Sequence, residues 1–213
     1  MEISKSTVII SGIVLLCLLV SACLYPKIPE RMATHWNAKG QVDGYMPKSA
    51  GVFLMPGIMA FIAVFFKLIP KIDPLKLNYE KFRQYYDGFV IVLLVFMMCG
   101  QYFILLWNLG VKIRPNVFFP IGIGLLFFYG GILCEHVKKN WFVGIRTPWT
   151  LSSDAVWDKT HRIGGKLFKI TGLIVIAGVF FEKYIVFFIL IPVLLITVFL
   201  LVYSYIEYQK EKP

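Results

Sequence analysis

Two polar runs carry the residues whose types and spacing could do chemistry. The first, HWNAKGQVDGY, brings together His35, Trp36, Asn37, Gly40, Asp43 and Gly44. His35 and Asp43 supply an imidazole and a carboxylate, but two ligands do not make a metal site. The run reads either as a recognition surface of His35, Trp36, Asn37 and Asp43, or as a compact loop. In the second case Trp36 anchors at a membrane interface and Asp43 caps a turn. The second run, NWFVGIRTPWTLSSDAVWDKTHRIGG, contains Asn140, Gly144, Arg146, Thr147, Pro148, Trp149, Asp154, Trp157, His161 and Arg162. Asp154, His161 and Arg162 are acid–base types. No nucleophile or metal accompanies them, so neither catalysis nor a cofactor is expected. Arg146, between Gly144 and Pro148, offers a guanidinium fork for a carboxylate or anion. Its expected partner is Asp154 or Asp158 of the same chain, or an acidic patch on a docked protein.

The elements that position these runs are strongly apolar. Of 213 residues 58% are hydrophobic and 16% charged, whereas a soluble domain keeps roughly a quarter of its residues charged to face water. The apolar residues fall into six blocks, at 7–24, 49–66, 88–109, 117–134, 167–181 and 184–206. Roughly 20 such residues cross a hydrocarbon core of about 30 Å. The expected fold is therefore all-α and polytopic, with about six transmembrane helices. The fifth block is short and carries Lys169; extension through Gly164–Lys166 and snorkelling of the lysine bring it to length. Val20-Ser21-Ala22-Cys23 loosely resembles a lipoprotein cleavage box, but the run is long and follows a single lysine, so a retained first helix is expected. Gly122, Gly124, Gly130 and Gly131 let neighbouring helix backbones approach the fourth span closely. The four cysteines lie in or at the ends of spans with no C-x-x-C spacing, as small hydrophobes rather than a redox or metal motif. No span has Asp or Glu in its middle, and Gln101 and Asn108 are its clearest polar residues, which argues against a pump, a coupled carrier or an intramembrane protease.

Lysine and arginine set the orientation. The N-terminus, loops 67–87 and 135–166 and the C-terminal tail hold fourteen of the 22 basic residues; loops 25–48, 110–116 and 182–183 hold seven. Positive loops remain inside, so both termini are expected in the cytoplasm, with the first run outside and the second inside. The net charge of +10 then reflects topology and anionic lipid neighbours, not direct nucleic-acid binding. In the inner loop Ser152 is expected to cap a helix beginning at Ser153-Asp154 and ending at Gly164-Gly165. This helix is read as an amphipathic segment lying on the membrane, with Asp154, Trp157, Asp158 and His161 on one side and Asp158 paired to Arg162. Tyr79, Phe82, Tyr86 and Phe89, also at helical spacing, are read as an interfacial run-in to the third span.

Both runs resemble known signatures. Pro29, His35-Trp36-Asn37 and Gly40-x-x-Asp43-Gly44 after the first span resemble a bacterial domain of unknown function. The run from Asn140 to Gly165 resembles the signature of the SdpI family, the immunity proteins of bacterial cannibalism systems. The two in this order are similar to that family's architecture across nearly the whole chain. The resemblance implies a three-span N-terminal domain (1–109) and an SdpI-like domain (110–213), and protection from a secreted peptide toxin rather than enzyme activity. It further implies a toxin-facing outer loop (His35, Trp36, Asn37, Gly40, Asp43, Gly44). The inner loop, from Asn140 to Arg162, would meet a small winged-helix autorepressor held at the membrane. The alternative is a small-solute or lipid-handling membrane protein gated by the His35 loop.

Overall fold

The computed structural model describes residues 4–211. Five helical stretches are long and apolar enough to cross a membrane, and the last, Asp154–Gln209, is bent back on itself. Phe181 leaves helical geometry (φ −125°, ψ 53°) inside the turn Gly178–Tyr184 and divides that stretch in two. Six long helices result: α1 (Lys5–Leu24), α2 (Lys48–Ile72), α3 (Arg83–Asn108), α4 (Pro115–His136), α6 (Asp154–Ala177) and α7 (Ile185–Gln209). Between them lie a two-stranded hairpin, β1 (Arg31–Trp36) and β2 (Val42–Pro47), and a single helical turn, α5 (Pro148–Ser152). The chain is a multi-pass membrane protein. Its outward-facing apolar side chains, such as Phe61, Leu125 and Leu195, are exposed because lipid is their natural solvent.

The prolines inside spans, Pro56, Pro120 and Pro192, are accommodated within α2, α4 and α7. The tightest helix pair is α4 against α6, and glycine makes it possible. A Cβ added to Gly124 would stand 2.6 Å from the Gly172 carbonyl oxygen, and one added to Gly131 would stand 2.5 Å from that of Gly165. The two pairs lie seven residues apart on each helix, which is two turns of an antiparallel seam. Lys169 does not merely snorkel. It pairs with Glu135 of α4 at 2.7 Å on the same seam, which offsets the cost of placing an ammonium near the apolar layer.

The inner-loop helix differs from expectation. Ser153, not Ser152, is the cap of α6, its hydroxyl accepting from the Val156 N–H. The helix does not end at Gly164-Gly165 but runs on as the fifth span, because these glycines face Ile145 and Glu135 rather than a chain reversal. No separate amphipathic helix lies on the membrane among the described residues. The aromatic run Tyr79, Phe82 and Tyr86 is likewise core, not interface: all three are buried in a cluster with Leu94, Leu133 and Trp157.

Candidate functional site

At one end of the bundle, the polar loop after α1 folds into the hairpin. Arg31 pairs with Pro47 and Trp36 with Val42, with irregular register around His35. Asn37 builds the turn: its side-chain oxygen accepts from the Lys39 and Gln41 N–H groups, and Gly40 takes φ +73°, a value glycine adopts without strain. Asp43 therefore does not cap the turn. It pairs with His35 Nδ1 across the hairpin at 2.5 Å, both side chains open to solvent. Gly44 lies against His35, where an added Cβ would come within 2.7 Å of the His35 Cβ. Nor does Trp36 sit in an interfacial belt. Its ring packs edge-on against Phe103 and Trp107 of α3, with centroids 4.9 and 5.2 Å apart, and its indole N–H is buried with no partner among the described residues.

Asn108 clamps the hairpin to α3. Its side-chain oxygen accepts from the Ala33 N–H and its amide donates to the Ala33 carbonyl, both at 2.9 Å, so it acts as one rung of a third strand. Asn116 at the start of α4 donates to the Ala38 carbonyl, and Arg114 pairs with Glu182 at 2.7 Å. Between the hairpin and the ends of α4 and α7 opens a cleft of about 500 Å³, lined by His35, Trp36, Asn116, Phe119, Pro120 and Ile189.

At the opposite end the second run is an irregular arm held by buried side chains. Asn140 is fully buried; its oxygen accepts from the Phe142 and Val143 N–H groups and its amide donates to the Lys138 and Val143 carbonyls. Asp73, absent from the sequence-based site, accepts from the Leu75 and Trp141 N–H groups. The Tyr79 hydroxyl stands 3.2 Å from Asp73 and 3.1 Å from Asn140. Thr147 and Thr150 cap α5 reciprocally, and Thr147 donates to Ser204 on α7. Trp149 rests on Tyr205, while Pro148 begins the turn.

Trp157 and His161 are buried on one face of α6, and Asp154, Asp158 and Arg162 are exposed on another, so the expected single polar side does not form. The charged pairs also differ. Asp158 pairs with Lys138 and Asp154 with Lys139, in place of Asp158 with Arg162. The loop lysines reach over the helix and offer those carboxylates a nearer partner. Trp157 Nε1 donates to the Val137 carbonyl. His161 donates from Nδ1 to the Trp157 carbonyl and accepts at Nε2 from the Ile145 N–H at 2.9 Å. Those two bonds require the neutral ring and occupy both nitrogens, which leaves neither free to transfer a proton. Arg146 pairs with neither aspartate; its Nη1 donates to the Trp141 carbonyl at 2.6 Å while the side chain stays at the surface.

The fold and its two ends define a multi-pass cell-membrane protein with polar motif surfaces at opposite ends of one helical bundle. The profile of the SdpI/YfhL protein family matches residues 136–204, and that of a domain of unknown function, DUF1648, matches residues 12–60. The chain is 27% identical over 207 residues to the immunity protein SdpI of Bacillus subtilis (strain 168), covering 97% of each. The chain is thus similar to the SdpI family over its C-terminal third and to one immunity protein along nearly its whole length. No solved structure matches it.

Proposed function

We propose that this chain is an immunity protein that protects its cell from a secreted peptide toxin. The observation that carries the reading is the likeness to an immunity protein along nearly the whole of both chains. With fourteen basic residues at the inner end and seven at the other, the hairpin faces outside, where a secreted peptide arrives. The hairpin cleft, with His35, Trp36, Asn37, Gly40, Asp43 and Gly44 in or beside it, then receives the toxin. The inner arm and its neighbours, from Asn140 to Arg162, form the surface for a small winged-helix autorepressor drawn to the membrane. Arg146 supports that assignment because its guanidinium is tethered by a carbonyl and meets no carboxylate among the described residues. The proposed halves, 1–109 and 110–213, divide these roles, and no catalysis is assigned to either.

The test is expression in toxin-sensitive cells exposed to medium from the strain that encodes this chain. Survival at toxin doses that kill vector controls, without new permeability to small solutes, is the expected result. Death at the control dose, or solute flux without protection, would favour the solute- or lipid-handling alternative.

A further inference from the structure

A second crevice, of about 150 Å³, lies at the inner end between α1, α2 and α3, away from both motif runs. Its walls are graded along the helices. Nearest the helix ends stand Ser6, Lys67, Arg83 and Asp87; one turn deeper stand Ile10, Ala63, Val64 and Val90. The charged groups thus line the mouth, and the floor is mainly aliphatic with Ser11 beside Ile10.

The charges at the mouth are incompletely matched. Asp87 accepts from the Ser6 hydroxyl at 2.6 Å and from Arg83 Nε at 2.9 and 3.1 Å. That contact fixes Arg83 by one edge and leaves its terminal nitrogens without a partner among the described residues. Lys67 forms no ion pair or hydrogen bond among them. Two cations face one carboxylate, so the mouth carries a net positive charge. α1 and α3 both begin here, and their first-turn N–H groups add positive potential. Tyr86 closes the rear wall, donating to the Phe66 carbonyl at 2.6 Å.

We propose that this crevice is a binding site for an anionic glycerophospholipid. The phosphate sits between Lys67 and the free edge of Arg83, and one acyl chain runs down the Ile10, Val64 and Val90 wall. An isolated phosphate would match the mouth but leave the apolar floor unused, whereas a zwitterionic lipid would bring its own cation against Lys67 and Arg83. The site joins α1, α2 and α3, so an occupied crevice braces the half of the bundle that carries the hairpin.

The experiment is thermal unfolding of the full chain in an uncharged detergent, titrated separately with phosphatidylglycerol, phosphatidylcholine and inorganic phosphate. Phosphatidylglycerol raises Tm saturably and the other two do not. Lys67→Gln raises the half-saturating phosphatidylglycerol concentration about fivefold, the effect of one basic residue on an anionic lipid. Lys71→Gln, at the same end but outside the crevice, leaves it unchanged. Arg83→Gln weakens binding further; if that variant fails to fold, Lys67→Gln alone decides, since Lys67 holds no contact whose loss would unfold the chain. Equal shifts with phosphatidylcholine, an unchanged titration for Lys67→Gln, or an equal loss for Lys71→Gln would each overturn the site. A full shift with phosphate alone would overturn the lipid as its ligand.

Discussion

Asn140 and Asp73 organise a stretch that has no regular structure, each by accepting from two part-buried backbone N–H groups. The arm from Lys138 to Thr147 is therefore fixed by side chains in place of a helix or strand. Gly144 completes it. Its φ is +115°, and an added Cβ would stand 2.5 Å from His161 Nε2, the acceptor of the Ile145 N–H. Gly144→Ala therefore strains the backbone and pushes His161 off its partner, for a loss on the order of 1–3 kcal/mol. Thermal unfolding in detergent reads this as a lowered Tm, and a wild-type Tm would remove Gly144 and His161 from the arm's framework. At this scale the sequence announced Gly144, Arg146 and His161 as residues of interest. It mispaired the charges because the lysines that win Asp154 and Asp158 lie across a loop, whereas spacing reveals only neighbours on the same helix. Asp73 was invisible for the same reason, since its partners Tyr79 and Trp141 are brought to it by tertiary packing.

Among the elements, the six spans were legible from apolar length alone, which fixes them whatever their neighbours. Their ends were less so. α2 continues to Ile72 and α6 begins at Asp154, because polar residues at helix ends are hydrated and do not break the backbone pattern. The outer loop was read as turns, yet it is a hairpin. The turn-forming Asn37 and Gly40 between two short runs, Arg31–Trp36 and Val42–Pro47, were the signal that could have found it. Glycines of the fourth span were flagged, but Gly165 and Gly172, which meet them, were not, since a seam needs the register of two helices. The seam makes a sharp prediction. Gly131→Leu places a side chain against the Gly165 carbonyl and the Lys169 side chain, forcing α4 from α6 at a cost of about 1–3 kcal/mol or more. A cysteine pair bridging the seam should cross-link in the parent and fail in the variant. Retained cross-linking with an unchanged Tm would mean that backbone contact is not what holds the pair.

At the scale of the whole molecule, α3 joins the two ends. It grips the hairpin through Asn108 and Trp107, spans the bundle, and follows directly on the turn whose Tyr79 meets Asp73 and Asn140. A peptide that shifts the hairpin thus has a continuous packed element through which to bias the opposite arm. The arrangement requires the hairpin outside and the arm inside. In a background lacking Cys17, Cys23, Cys99 and Cys134, an impermeant thiol reagent added to intact cells should label cysteine placed at position 35 and spare one at position 141. The reverse pattern would overturn the orientation and the roles built on it.

The most direct measurement is survival of toxin-exposed cells expressing hairpin and arm variants at matched membrane abundance. His35→Ala and Asp43→Ala break the exposed pair on the cleft rim without touching the core, and should shift the killing curve toward that of the vector control. Arg146→Ala, at the other end, should leave protection at the wild-type level while weakening repressor recruitment. If the rim variants protect fully and Arg146→Ala abolishes protection, the toxin is not met at the hairpin and the division of labour between the two ends is contradicted.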